Sequence, residues 1–239
     1  KLVLDVACGE GYGSALLARN AKEVVGINID PATIEKAKQT YKLPNLNFQR
    51  GDVTSLPLES ESFDMVVSFE TLEHTARHEE MMSEIKRVLR KDGLLVISTP
   101  DKKWYSDNRN YSNPFHEKEL YREEFETLLK KYFTNVEICG QLFLSGSLII
   151  PEKNVQEKKW YSGSFDDIKR SDVFPEYYLI ALASNGILPV LPASLFSGEH
   201  IMEKALEMQE AAFRNSITYR TGHLILWPFK WIKKRLRHS

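Results

Sequence analysis

The chain has 239 residues, 42% of them hydrophobic and 27% charged, with a formal net charge of −1. That balance excludes a disordered chain, a collagen-like fibre and a disulfide scaffold, and no run approaches the roughly 18 apolar residues that read as a membrane span. The charge is uneven: residues 220–239 hold six Lys and Arg and no acid, so the remaining body is acidic, which argues against general nucleic-acid binding.

The two cysteines, Cys8 and Cys139, fall in apolar runs and read as buried thiols of a reducing compartment. The chain opens on Lys1 inside a strand pattern without an initiator Met, so an upstream segment is left open and targeting is not read from that end.

In chain order the first 140 residues alternate strand and helix. Residues 2–7 read as a buried strand and 14–19 as a helix; 23–29 read as a second strand. Asp30-Pro31 sets an N-cap and a first-turn proline for a helix to about residue 40. Strands follow at 46–50 and 63–69. The spacing of Met81, Ile85, Val88 and Leu89 predicts a helix over 76–90, stopped by Asp92-Gly93. Then come a strand at 94–98, a helix at 122–131 and strands at 136–139 and 177–183.

Repeated β-α units imply an α/β fold: a Rossmann-like, seven-stranded, mostly parallel sheet with helices on both faces. Residues 99–121 and 141–175 break the rhythm. Segments of that length are usually functional, and the first emerges at the carboxyl ends of the strands, where α/β sheets bind ligands. The domain reading is therefore 1–192, with 141–175 as an insertion and a candidate lid, followed by a helical extension over 193–239.

The sharpest local signal is Asp5-Val-Ala-Cys-Gly9-Glu-Gly11-Tyr-Gly13. Glycines after a first strand let the backbone turn sharply against the next helix. The spacing is neither G-x-G-x-x-G nor a P-loop. At these residues the sequence resembles class I S-adenosylmethionine (SAM)-dependent methyltransferases, with Ala7 where that family usually has its first glycine.

The resemblance implies SAM as cofactor, held by Asp5, Ala7, Gly9 and Gly11 at the first turn. It implies ribose contact at Asn28, beside Ile29, where the family usually carries an acid, and adenine contact at Asp52 and Val53, with Phe69 at the end of the fourth strand. Asn28 can donate and accept hydrogen bonds but offers no charge-assisted pair; Asp30 is explained as the helix cap.

For the acceptor, Glu70-Thr-Leu-Glu73-His74 resembles a segment of ubiquinone-biosynthesis O-methyltransferases. That implies either a divalent metal (Mg²⁺, Mn²⁺ or Zn²⁺) on Glu70, Glu73 and His74, or side chains that simply pack the turn. His78 reads as a surface residue.

The loop with Trp104, Tyr105, Tyr111, Phe115 and His116 resembles that of bacterial methyltransferases accompanying glycosyltransferases in surface-polysaccharide pathways. Its rings suit stacking on a sugar or an aromatic acceptor. His116, with His74, is a candidate catalytic base; a loop histidine bonded to backbone is the other reading.

The resulting expectation is methyl transfer to a hydroxyl of a sugar or glycoconjugate. Two alternatives stay open: O- or C-methylation of a small aromatic or isoprenoid metabolite, and a non-catalytic SAM-fold binding module. Residues 223–237 interleave Trp227, Trp231, aliphatics and cations. They suit either peripheral contact with an anionic inner-membrane surface or a helix packed on its own domain. A small-molecule or glycan acceptor, no nucleic acid, a homodimer and a cytoplasmic location complete the expectations.

Overall fold

The computed structural model describes residues 1–142, 160–164, 167–171, 175–192, 194 and 199–221. Its first strand, β1 (Leu2–Val6), is almost wholly buried, as its apolar run requires. The elements that follow are α1 (Tyr12–Ala18), β2 (Glu23–Asn28), α2 (Pro31–Thr40), β3 (Leu46–Arg50), β4 (Phe63–Ser68), α3 (His78–Val88) and β5 (Leu89–Pro100). A short α4 (Lys102–Tyr105) precedes α5 (Arg122–Tyr132), β6 (Asn135–Gln141), β7 (Trp160–Ser164), β8 (Asp167–Ser171), β9 (Tyr178–Ser184) and α6 (Glu199–Asn215).

Seven strands form one sheet in the order β3-β2-β1-β4-β5-β9-β6. The β1–β2, β1–β4, β2–β3 and β4–β5 pairs are parallel; β9 runs antiparallel to both β5 and β6. Each face of the sheet carries its own apolar cluster. One packs Ala18, Ile34, Ala37 and Phe48 from the α1 and α2 side; the other packs Met81, Met82, Ile85, Phe125 and Leu129 from α3 and α5. The expected helix-covered α/β sheet is thus observed.

Local chemistry explains the boundaries. Asp30 accepts from the backbone N–H groups of Ala32 and Thr33 and caps α2, with Pro31 at its first position. Glu124 reaches back to the Tyr121 N–H at 2.9 Å and starts α5.

The helix expected over 76–90 is shorter at both ends. Thr75 Oγ1 accepts from Arg77 N, so the chain turns before His78. Leu89 already pairs with Phe63 in β5, so Asp92-Gly93 lies within a strand with a register irregularity rather than ending a helix. Two further expectations need correction. His78 is 5% exposed at the start of α3, its Nε2 buried without a hydrogen-bond partner among the described residues. Cys139 is half-buried where Cys8 is buried, and both thiols are free.

Part of the 141–175 insertion is an antiparallel hairpin, β7 with β8. By backbone contacts the chain divides into Lys1–Pro189 and Val190–Ser239. In the second unit α6 exposes Leu206 and Phe213 and carries a Glu210–Arg214 pair at 2.6 Å. Residues 223–237, on which the membrane-contact expectation falls, lie outside the described residues. Among the described residues no helix is long and apolar enough to cross a membrane.

Candidate active site

A cleft of about 420 Å³ lies across the ends of β1 to β4. The turn that meets it after β1 is built from backbone in unusual conformations. Ala7, directly after β1, has φ 57°, and Gly9 and Gly11 have φ 54° and 86°. A non-glycine residue held in that region stores on the order of 1–2 kcal/mol, and Ala brings the smallest side chain that can do so.

The two glycines do different things. A Cβ on Gly9 would meet nothing within 4 Å, whereas one on Gly11 would sit 2.5 Å from Phe48 Cζ and 3.1 Å from Ala37 Cβ. Gly9 therefore leaves open space beside the turn. Gly11 lets α1 close onto the sheet, so its contribution to binding runs through packing.

Of the residues implied for SAM, Ala7, Asn28, Ile29, Asp52 and Val53 line the cleft; Asp5, Gly9, Gly11 and Phe69 do not. Asp5 is buried beneath the turn and accepts from the Ser14 hydroxyl at 2.6 Å. Burial pushes its carboxyl up to about 6 against that hydrogen bond, and burial, with Asp5 adding to it, pushes the Cys8 thiol to about 12. Phe69 is half-exposed beyond the end of β4.

Asn28 Oδ1 accepts from Asp30 N, leaving its amide N–H groups to face a ligand. Asp52 accepts from both the N–H and the hydroxyl of Thr54, each at 2.8 Å. Those bonds hold its carboxyl below the usual carboxylate range.

Thr54, Thr71, Thr75 and Arg77 also line the cleft and were not anticipated. The threonines lack a distinguishing pattern in sequence. Arg77 carried a signal only in following the E-x-x-E-H segment by three residues.

The wall beyond β4 is a network of side chains. Glu70 is in the left-handed region, φ 50°, held by a reciprocal pair: its N–H donates to Ser98 Oγ at 3.1 Å and Ser98 donates back to Oε1 at 2.6 Å. Glu73 is 1% exposed and takes the Thr99 hydroxyl at 3.2 Å. Burial, reinforced by neighbouring Glu70 and Glu119, pushes its carboxyl up to about 7.

His74 lines the cleft, and its Nδ1 lies 2.8 Å from the Phe115 carbonyl. A carbonyl can only accept, so neutral His74 carries its proton on Nδ1 and presents Nε2 as a lone pair.

His116 stands behind it, ring centroids 5.0 Å apart and edge-on, stacked on Tyr105 at 5.5 Å. Both of its nitrogens are engaged, Nδ1 with Glu119 at 2.5 Å and Nε2 with Asn113 at 2.9 Å. Of the two candidate bases, His74 therefore has the open nitrogen.

The proposed ligand trio Glu70, Glu73 and His74 is not the set that converges. Ligand atoms of Glu73, His74 and His116 lie within 4.8 Å of one another, and Glu70 is outside that group. Within that converging group both His116 nitrogens are already bonded, to Glu119 and Asn113, so ligating an ion there would cost one of those hydrogen bonds.

The family model described as "Methyltransferase domain" matches residues 4–97. A Mycolicibacterium smegmatis protein named "Probable S-adenosylmethionine-dependent methyltransferase" is 39% identical over 129 residues, 54% of this chain and 49% of that protein. The phthiotriol/phenolphthiotriol dimycocerosates methyltransferase of Mycobacterium leprae is 36% identical over 100 residues, 41% of this chain and 37% of that protein. The chain thus spans half or less of the length of these curated relatives.

Among solved structures, a SAM-dependent methyltransferase from Thermotoga maritima superposes with a TM-score of 0.56 at 18% identity, covering 77% of this chain and 81% of that one. The YcgJ protein of Bacillus subtilis gives 0.51 at 20% identity, covering 69% and 68%. Residues 4–97 of this chain thus match the methyltransferase-domain model, on a Rossmann-like fold of the kind these solved structures have.

Proposed function

We propose that this chain transfers the methyl group of SAM to a hydroxyl of a sugar or glycoconjugate. The observation that carries the reading is the adjacency of two features in one cleft: Ala7 held in the left-handed region after β1, and His74, whose Nδ1 meets the Phe115 carbonyl and whose Nε2 is left open.

SAM supplies an electrophilic methyl on a cationic sulfur. The chain's share is to position donor and acceptor, and to take a proton from an acceptor that is a poor nucleophile while protonated. In this reading Ala7 and Gly9 shape the turn, Asn28 and Asp52 hold ribose and adenine, and His74 Nε2 receives the hydroxyl proton. Glu73, with its carboxyl raised to about 7 and its Oε1 3.8 Å from His74 Nε2, adds little negative charge in its protonated form. Turnover is expected to be unchanged by a chelator.

Tyr105, Tyr111 and Tyr178 cluster edge-on at 5.7–5.8 Å beside His116, an aromatic surface on which a pyranose ring can stack. The M. leprae relative, named for phthiotriol and phenolphthiotriol dimycocerosates, favours a second reading: an alcohol or phenol hydroxyl outside a sugar.

An acceptor panel with methyl-labelled SAM separates the two. Nucleotide sugars and glycan fragments are set against catechols, quinols and long-chain alcohols, with SAM affinity measured by calorimetry. Label on the sugars is the expected outcome. Label confined to the other group selects the second reading, and absence of SAM binding sinks both.

A further inference from the structure

We propose that a hydrogen-bond chain running from Glu119 through His116, Asn113 and Phe115 to His74 fixes the proton of His74 on Nδ1, with Asn113 as its positioning residue. The inference rests on the reading that His74 is the base.

The chain can be followed donor by donor. Glu119 is a carboxylate and can only accept from His116 Nδ1, at 2.5 Å, in a pair with side chains 8% and 9% exposed. That puts the proton of neutral His116 on Nδ1 and makes its Nε2 an acceptor. Nε2 in turn demands a donor, so Asn113 turns its amide Nδ2 there, at 2.9 Å. The amide cannot then flip, and its Oδ1 must face the other way, where it accepts from Phe115 N at 3.1 Å.

The Asn113 backbone carbonyl also accepts from His116 N at 3.1 Å, closing a tight turn over 113–116. The turn aims the Phe115 carbonyl at His74 Nδ1, at 2.8 Å.

The segment is also tied to the E-x-x-E-H turn by backbone. Glu117 N and Lys118 N donate to the Glu73 carbonyl at 2.9 and 3.1 Å, and Ala76 N donates to Glu117 Oε2 at 3.0 Å. The two segments therefore move as one piece, and only the Asn113 link reads the side-chain state of His116. Outer partners of this kind fix a histidine's tautomer and ring orientation in many sites.

The consequence is chemical. With Nδ1–H committed to a carbonyl, the proton of an attacking hydroxyl has one place to go, His74 Nε2. As the new O–C bond forms, the methyl–sulfur bond breaks and its electron pair stays on sulfur as a neutral thioether. The O–H proton passes to Nε2, and the Phe115 carbonyl stabilises the imidazolium produced. A His74 that inverted its tautomer would present N–H to the acceptor and take no proton from it.

The experiment uses the full chain labelled with ¹⁵N-histidine, with the His74 resonances assigned by their loss in His74→Gln. In the wild type at slightly alkaline pH, a protonated Nδ1 and an unprotonated Nε2 are expected. Asn113→Ala removes both side-chain bonds and is expected to give a tautomer mixture. Turnover on the acceptor returned by the panel should fall on the order of 10-fold, less than the 10²–10⁴ that loss of the general base itself costs. SAM affinity should stay within about twofold, since Asn113 does not line the cofactor cleft.

Asn113→Asp keeps the oxygen that accepts from Phe115 N but offers His116 Nε2 no donor, so it is expected to leave the tautomer mixed and turnover low. An unchanged tautomer in Asn113→Ala, or a tautomer mixture with full turnover, overturns the proposal. So does a wild-type tautomer in Asn113→Asp, which would take His116 out of the chain. Loss of SAM binding by the wild type defeats the underlying reading and is seen separately, by calorimetry.

Discussion

The floor of the cleft and the wall beside it solve the same problem, holding atoms in place, by different means. The floor over residues 5–13 and 51–54 relies on backbone: left-handed conformations at Ala7, Gly9 and Gly11, and the turn that Asp52 closes on Thr54. The wall relies on side chains from segments far apart in sequence, 70–78 and 113–119, meeting through His74, Glu73 and Phe115. A backbone-built site tolerates little change in residue size and needs few titratable groups. A side-chain network fixes proton positions and is vulnerable one atom at a time.

The largest effect that sharpens this contrast is expected on the wall. His74→Ala should lower turnover by about 10²–10⁴ while leaving SAM affinity nearly unchanged in a calorimetric titration. Equal losses in both would mean that His74 belongs to the floor. His116→Ala should cost less, because its open nitrogen is already spent on Asn113.

On the floor, the two glycines part company. Gly9→Val places a branched side chain in open space at φ 54°, and should cut SAM affinity by about 100-fold or more. Its cost in stability should be on the order of 1–2 kcal/mol from the conformation alone. Gly11→Ala should do the reverse. Its Cβ would lie 2.5 Å from a buried Phe48 ring, so a loss of about 1–3 kcal/mol in denaturant unfolding is expected. Any fall in SAM affinity should follow from weakened folding. If Gly11→Ala left stability untouched and abolished binding, the assignment of the two positions would be exchanged.

The same contrast decides what sequence could reveal. Strand and helix order was legible because apolar runs, the Asp30-Pro31 cap and the spacing of Met81, Ile85 and Val88 are local properties. The left-handed turn after β1 was legible because Gly9 and Gly11 carry that geometry in residue type and spacing, whereas spacing did not show that Asp5, Gly9 and Gly11 fall outside the lining of the cleft. The wall was only half legible. E-x-x-E-H and His116 stood out as reactive residues, but their spacing is silent about which nitrogen is free, and that depends on Asn113 and Glu119 across the fold.

His78 was misread for a related reason. Its neighbours Arg77, Glu79 and Glu80 are charged, while its own direction is set by how α3 packs against the sheet. The bend at Leu89 was missed because pairing with Phe63 is a tertiary contact that outweighs helical spacing.

The smallest expected effect is the most informative about Asp5, which lies under the floor rather than on it. Its carboxyl is raised from 3.8 to about 6 by burial, so the folded chain binds its proton more tightly than the unfolded chain does. The stability this contributes is fully present below pH 3.8 and is lost as pH rises through 6, a change on the order of 2–3 kcal/mol. Glu73, raised to about 7, acts in the same direction one unit higher.

The ligand-free chain should therefore unfold at lower denaturant concentration at pH 8 than at pH 5. Asp5→Asn, which keeps an oxygen for the Ser14 hydroxyl, should flatten part of that slope and gain about 2 kcal/mol at pH 8. A cationic ligand above the turn favours the ionised carboxyl, so the stabilisation SAM confers on the wild type should grow between pH 5 and 8. In Asp5→Asn that growth should shrink. Growth of equal size in the variant would mean that Asp5 supports the turn without sensing the ligand's charge, and the floor would then be backbone alone.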